Sequence, residues 1–274
     1  AIHYKVTNNI EAIVSGYYGM GNTVYTGSDR YSLKQLNMGQ YKVELKHRNW
    51  FLRAYTTRED AGQSYNATIA TRLFNEAWKG SATWYPQYMG AYVTARSSGV
   101  DAFTAHNGAR NFADVGRPTG NIMNNPFFQS IVSKPIGGST NGGQFVDKSS
   151  LNMFEGQYNL SENLKLKDKG FDILVGGNYK QYVLNSQGTL FADTAGKIKI
   201  AEYGGYIQIQ KKLFGDVLKL TASGRYDKND NFAGRFTPRG SAVLKLAKDH
   251  NVRLSYQSAY RFPSTQNQWI NLMV

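Results

Sequence analysis

The most constraining feature of the sequence is a strict alternation of apolar and polar residues. In residues 38–45, the apolar side chains Tyr41, Val43 and Leu45 alternate with polar neighbours. Successive side chains of a β-strand point to opposite faces, so this pattern predicts a strand with one apolar and one polar face. Six further segments show it, at 50–55, 154–160, 171–180, 218–227, 239–246 and 252–261. Weaker runs bring the prediction to about ten strands, and they lie at 1–6, 10–19 and 200–211.

The links between these strands fall into a short class and a long class. Those after odd-numbered strands are short, at 7–9, 47–49, 161–170, 213–216 and 247–251. Those after even-numbered strands are mostly longer, at 20–34, 60–148, 185–199 and 228–234. This parity is typical of an antiparallel up-and-down transmembrane β-barrel, which has short turns at one end and long extracellular loops at the other. The strand lengths also suit the roughly 9–11 residues that a tilted strand needs to cross a bilayer.

A soluble β-sandwich is the alternative fold, because its strands alternate as well. A sandwich predicts strands of about five or six residues, Greek-key connections and no parity in link length. Long strands, link parity and tyrosines near strand ends favour the membrane barrel, in which aromatic residues form girdles at both interfaces. An aromatic fraction of 14%, with 19 Tyr, excludes a disordered chain.

Composition excludes several other classes of protein. The 274 residues contain no Cys, which rules out a disulfide framework, a zinc-thiolate cluster and cysteine catalysis. No run of about 18 apolar residues occurs, so the sequence predicts no transmembrane helix. The net charge of +13 comes from basic residues interleaved with apolar ones, which argues against nucleic acid as a partner. In a barrel these residues would line the lumen and attract an anionic solute.

The long link 60–148 is too large to lack structure in a compact domain. Residues 65–78 predict a helix with Ser64 as its N-cap, and Asn125 would open a later one. Four aromatic residues fit one face of a helix between these two, and they are Trp84, Tyr85, Tyr88 and Tyr92. These rings form the small core of the insertion or line a lid over the barrel mouth, suited to a sugar, a flat chelate or a peptide, and both roles can hold for different residues.

The sequence offers little for catalysis. The histidines are His3, His47, His106 and His250, and only His106 lies on the side of the long links. No cluster is therefore available for a metal or for a base–nucleophile pair. No Gly-rich phosphate loop and no pair of carboxylates stands out. We expect no enzymatic activity, no cofactor and no metal site.

The segment 258–268 carries Tyr260, Arg261, Pro263 and Ser264 in an aromatic–Arg–x–Pro–Ser/Thr pattern. It resembles the segment that ends a barrel strand in TonB-dependent outer-membrane receptors, in a version similar to that of the Bacteroidota. Residues 1–12 also resemble a barrel hairpin of that group. The resemblance implies a barrel of about 22 strands, a plug domain inside it and energy supplied by the TonB complex.

The chain departs from that pattern, because it shows about ten strands and neither a plug domain nor a TonB box. We therefore expect residues 1–274 to be part of a larger receptor barrel, with 60–148 as a long extracellular loop insertion and the plug outside this chain. An open sheet would leave two unpaired edges in lipid, which supports this interpretation. A closed ten-strand barrel, acting as a small pore or surface enzyme, is the third hypothesis.

The sequence thus predicts a multi-pass barrel segment of an outer-membrane transporter that binds and imports a glycan, peptide or metal chelate. The expected ligand contacts are Trp78, Trp84, Tyr85, Tyr88 and Tyr92 on the insertion, with Arg53, Arg225 and Arg261 facing the lumen. The expected partners are outer-membrane lipid and lipopolysaccharide, the TonB complex through an N-terminal part, and a surface lipoprotein. The second hypothesis is a soluble or surface β-sandwich that binds carbohydrate through the same aromatic residues.

Overall fold

The structure is a computed structural model, and it describes residues 1–27, 29–137 and 141–271. Ten strands follow one another in a single antiparallel meander, each hydrogen-bonded to its neighbours along the path. They are β1 (Ile2–Lys5), β2 (Ile10–Thr26), β3 (Arg30–His47), β4 (Trp50–Asp60), β6 (Ser150–Asn159), β7 (Phe171–Leu184), β8 (Ile198–Leu213), β9 (Leu218–Asn229), β10 (Phe232–Ala247) and β11 (His250–Gln257). The remaining strand, β5 (Tyr65–Asn66), lies off this path, pairs with β3 and forms a further bridge from Tyr65 to Gln144. All ten strands predicted from alternation are confirmed.

One face of this sheet is apolar and exposed. Val43 on β3 lies opposite Val14 on β2 and Ala54 on β4, so residues of like polarity share a face. Leu52 is 58% exposed and Leu254 is 72% exposed. The same face carries further exposed apolar side chains, which include Tyr41, Phe154, Tyr179, Ile207 and Leu220. Among the described residues no second sheet covers it, whereas a β-sandwich would bury it under one.

Two of the predicted long links are wrong. The segment 20–34 belongs mostly to β2 and β3, which continue to Thr26 and restart at Arg30. Likewise, 228–234 contains the ends of β9 and β10, joined by a tight turn at 230–231. Residues 16–26 are all exposed, so no buried face imposes alternation on them and the pattern gave no signal there. The loops that are long in the structure follow β4 and β7.

The last strand is shorter than predicted. The alternation at 252–261 indicated a strand through Arg261, but β11 ends at Gln257. Pro263 follows soon afterwards, and proline cannot donate a hydrogen bond to a strand ladder. The chain instead turns back into the short helix α5 (Thr265–Trp269). Within the described part of the chain, the terminal strands β1 and β11 each pair on one side only, so the sheet is not closed.

Among its described residues, the insertion after β4 contains the 3₁₀ helix Ile122–Asn124 and four α-helices. The α-helices are α1 (Ala67–Trp78), α2 (Ser81–Ser97), α3 (Ala102–Ala113) and α4 (Pro126–Val132). The N-cap of α1 is Asn66, whose side chain accepts from the Ile69 amide at 3.0 Å. The predicted cap, Ser64, is wrong because its hydroxyl accepts from the Lys34 amide of β3 at 3.0 Å and so ties the insertion to the sheet. Among the described residues, no helix is long and apolar enough to cross a membrane.

The buried core lies at the end of the sheet that carries the long loops. One cluster joins α1 to α4 through Tyr65, Phe74 and Phe128. A second joins the β7–β8 loop to α5, because Phe191 and Trp269 pack against Leu184 of β7 and Ile200 of β8. The loops are therefore folded units that rest on the strand ends.

The two-faced sheet gives a first testable prediction. We expect Leu52→Arg to reduce folding into phosphatidylcholine vesicles by about 2–4 kcal/mol, the cost of a charged side chain on the lipid face of a barrel. Urea titration of vesicle-folded protein measures it. The control is Gln40→Arg, on the polar face of β3. Equal effects of the two variants would contradict the assignment of the faces.

Candidate functional site

The polar face of the sheet carries a row of register partners that crosses six strands. Its members lie directly opposite one another from β3 to β9, and they are Glu44, Arg53, Glu155, Asn178, Gly204 and Asp227. Arg53 forms an ion pair with Glu155. In the next row, Lys180 donates to Glu202 at 2.8 Å and Asn229 donates to the same carboxylate at 2.9 Å. Opposite charges on neighbouring strands attract, so this face forms a connected polar surface.

Arg225 reaches across that row because one member has no side chain. Its guanidinium donates to Asp227 at 2.7 Å and to Asn178 Oδ1 at 2.5 Å, and it lies 5.8 Å from the centre of the Tyr206 ring. A Cβ atom at Gly204 would lie 2.6 Å from Arg225 Nη2 and closer still to Asp227 Oδ1. Only glycine leaves room for this contact.

A first cavity lies between the polar face and the segment that follows β11. Its volume is about 390 Å³. The strands contribute Lys180, Glu202 and Asp227, and the returning segment contributes Arg261 and Pro263. Arg261 therefore reaches this cavity from a loop, and not from a strand as the sequence indicated. The cavity holds charges of both signs beside an apolar wall.

Aromatic contacts hold the returning segment in place. Phe262 stacks on Phe232 of β10 with ring centres 6.0 Å apart, and Tyr260 packs edge-on against Phe262 at 4.7 Å. Gln268 donates to the Pro263 carbonyl at 2.7 Å. All four residues of the motif recognised in the sequence line the first cavity, namely Tyr260, Arg261, Pro263 and Ser264.

The β7–β8 loop supports that segment through one carboxylate. Asp193 is buried and accepts from the Ser186 amide, from the Ser186 hydroxyl at 2.6 Å and from the Gly188 amide at 2.6 Å. Burial acts to raise the pKa of Asp193, but the hydrogen bonds from Ser186 and Gly188 outweigh it and hold the pKa below its usual value. The charged carboxylate thus orders the loop on which Trp269 packs.

The predicted aromatic residues of α2 separate into two groups. Trp84, Tyr88 and Tyr92 stack along one side of the helix, with ring centres 5.1 and 6.4 Å apart. Tyr92 also stacks on His106 of α3 at 4.2 Å, and the Tyr88 hydroxyl bonds to the same imidazole. Tyr88 and Tyr92 therefore join α2 to α3. Of the two roles that the sequence allows for these rings, core packing or ligand binding, Tyr88 and Tyr92 have the packing role.

A second cavity lies at the base of the α2–α3 hairpin. It measures about 460 Å³, and its aromatic lining consists of Trp78, Trp84 and Tyr85. The Trp78 indole donates to the Gly116 carbonyl at 2.6 Å, and the Trp84 indole donates to Asp114 at 2.9 Å. The structure thus brings three of the predicted aromatic residues together. Arg53 lines neither this cavity nor the first.

The second cavity also has charged residues that sequence reasoning missed. Its basic lining residues are Arg72, Lys79, Arg110 and Arg117, and its acidic ones are Glu76 and Asp114. Arg110 and Arg117 each contact Asp114 at 3.4 Å. Burial acts to raise the pKa of Asp114, but the Trp84 hydrogen bond and the two arginines outweigh it and lower the pKa. The sequence did contain a signal for this cluster. Arg110, Asp114 and Arg117 are separated by four and then three residues, a spacing that brings side chains close together.

Comparison with known proteins finds a matching family model and similar solved structures. A family model described as "TonB dependent receptor-like, beta-barrel" matches residues 5–271. The crystal structure of the siderophore receptor PirA from Pseudomonas aeruginosa is similar with a TM-score of 0.52 and 12% sequence identity. The similarity covers 96% of this chain and 32% of PirA, so the chain spans about a third of that receptor's length. At this identity the likeness concerns the fold alone. No curated protein matches the sequence.

The Arg225 contact predicts different effects for two neighbouring glycines. We expect Gly204→Ala to destabilise the folded chain by about 1–3 kcal/mol, because the added methyl group overpacks the site and displaces Arg225. Gly205→Ala is the control, since a Cβ there meets only the Gly176 carbonyl oxygen at 3.7 Å. Urea unfolding of both variants measures the difference. Equal stabilities would contradict the role given to Gly204.

Asp193 gives a prediction about pH. A lowered pKa in the folded state means that the carboxylate stabilises the loop above about pH 4, the pKa of an unperturbed Asp, and that this contribution is lost as the pH falls further. We expect Asp193→Asn to weaken the loop by about 2 kcal/mol and to remove this pH dependence. Hydrogen exchange of amides 186–188 from pH 3 to 7 measures it. A wild-type profile retained by the variant would contradict the proposal.

Proposed function

The chain belongs to the family of TonB-dependent receptor-like β-barrels, and on that premise we propose that it is a barrel segment of an outer-membrane transporter that binds and imports an external ligand. The observation that carries this proposal is a single-layer sheet whose two faces suit two different solvents. Exposed apolar side chains such as Leu52 and Phe154 suit lipid, and the charged row around Arg53 suits a water-filled passage.

In this proposal the two ends of the sheet have different roles. The end with the insertion and the β7–β8 loop faces the outside and captures the ligand in the two cavities. The polar face, including Arg53 and Arg225, then lines the route inward. The ligand is a glycan, a peptide or a metal chelate. PirA is a siderophore receptor, but at 12% identity its ligand supports the chelate only as one of these classes.

We further propose that residues 1–274 form part of a larger barrel, with 60–148 as its extracellular insertion. A plug domain and the contact with the TonB complex would lie in another part of the receptor. Lipid and lipopolysaccharide would contact the apolar face, and a surface lipoprotein would cover the mouth. The sequence from Pro263 to Gln268 supports a Bacteroidota-type receptor. Transport of a bound ligand needs no covalent chemistry, and we assign the chain no catalytic role.

Residues 1–274 contain no Cys, so thiols introduced into them test this orientation directly once any Cys elsewhere in the receptor is replaced by Ser. In the full receptor expressed in a Gram-negative host, Ser97→Cys places a thiol on the exposed end of α2, and Lys248→Cys places one in the β10–β11 turn. We expect a membrane-impermeant maleimide to label Ser97→Cys on intact cells. Lys248→Cys should react only after the outer membrane is permeabilised. Equal labelling of both thiols on intact cells, or recovery of the protein in the soluble fraction, would overturn the proposal.

A further inference from the structure

We propose that the second cavity, at the base of the α2–α3 hairpin, binds a ligand that combines a carboxylate with a ring. This inference rests on the proposed function and deepens it, because it specifies the charge and the ring that a ligand of this cavity carries. A neutral glycan would leave the basic lining without a counter-charge, and a bare cation would be repelled by it. An acidic sugar or an aromatic acid satisfies both the arginines and the aromatic wall.

The cavity is built before any ligand arrives. The chain enters the hairpin after Lys79 and leaves it after Ala113, and the Lys79 ammonium donates to the Ala113 carbonyl at 2.5 Å. The Trp78 indole closes the same junction through Gly116. The Ser81 amide donates to Glu76 at 2.9 Å where α2 begins. Because these bonds fix the walls, little ordering cost remains when a ligand binds.

The charge balance favours an anion. Four basic side chains face two carboxylates around the cavity. Glu76 already accepts from the Ser81 amide and hydroxyl, and Asp114 already accepts from the Trp84 indole. The two Arg contacts to Asp114 measure 3.4 Å, longer than the 2.7–2.9 Å typical of charge-assisted bonds. A guanidinium has five N–H donors, so Arg110 and Arg117 have the capacity to bind a second carboxylate.

The aromatic wall favours a ring. Tyr85 is 60% exposed and stands edge-on to Trp84 with ring centres 5.2 Å apart. Trp84 is stacked on Tyr88 on one side, so its ring is held in a fixed orientation. Such a corner presents apolar ring surface within a lining that is otherwise charged. Sugar rings and benzene rings both pack against aromatic faces, and the adjacent arginines select those that carry a carboxylate.

The test measures binding to the full chain in detergent by isothermal titration calorimetry. The probes are digalacturonate, neutral galactobiose and phthalate. We expect digalacturonate or phthalate to bind and galactobiose to bind at least tenfold more weakly, with affinity falling as salt increases. The stronger of the two acids identifies the ring as a sugar or an arene. Equal binding of galactobiose and digalacturonate, or no binding of either acid, would overturn the proposal.

Variants locate the site. We expect the double variant Arg110→Gln, Arg117→Gln to weaken binding of the acid at least tenfold, because it removes charge-assisted hydrogen bonds. Arg72→Gln should weaken binding of the acid several-fold. Because this variant leaves the contacts of Asp114 intact, it tests the cavity even if the double variant misfolds. Arg96→Gln is the matched control on the same hairpin, outside the cavity, and should change affinity less than twofold. Equal losses in Arg72→Gln and Arg96→Gln would overturn the assignment.

The acid-binding test and the test of the proposed function can fail independently of each other. The maleimide experiment reports where the chain lies in the cell and does not depend on any ligand. Acid binding that survives a failed labelling test would leave the cavity assigned and the transporter rejected. The expected labelling pattern with no acid binding would reject the cavity alone.

Discussion

The structure depends on the contact of one sheet with two solvents. A single layer of strands has no interior of its own, so each strand must satisfy lipid on one face and water on the other. This explains where the buried core is found. Tyr65, Phe74, Phe128, Phe191 and Ile200 all lie in or beside the loops at one end, while apolar side chains along the strands remain exposed. Buried side-chain packing is therefore found in the loops. The sheet itself is stabilised by the hydrogen bonds between its strands and by the contact of its two faces with lipid and water.

Part of the polar face pairs its charges across strands. Rows of register partners bring Arg53 to Glu155 and Lys180 to Glu202, so each of these four charges has a partner of opposite sign on a neighbouring strand. Ion pairs of this kind add little net stability, because removing charges from water offsets their attraction. Their effect is to fix side-chain positions along the sheet. Gly204 also contributes to this arrangement. Because it has no side chain, Arg225 can connect two strands that are not adjacent.

The sequence revealed features that repeat along the chain, and it missed features assembled across it. All ten strands of the meander follow from period-two alternation, because each must separate the same two environments. The distal part of β2 is exposed on both faces and carries no such signal. Helix α3 escaped notice because its buried side consists of Ala105, Ala109 and Ala113, which are weakly hydrophobic. The second cavity takes its basic residues from α1, from α3 and from the loop that follows α3. Only the folded structure brings these elements together.

The attachment of the α2–α3 hairpin has a consequence for how such a protein diversifies. The hairpin leaves and rejoins the chain at one junction, where Gly116 and Gly120 adopt positive φ angles of 82° and 88°. Among the described residues, the main packing of α2 is against α3, the second helix of the same hairpin. The entropic cost of closing a loop rises only slowly with the length of the loop, so segments of many lengths can be accommodated at such a point. The α2–α3 hairpin can therefore be replaced by a segment of another length without rebuilding the sheet below it.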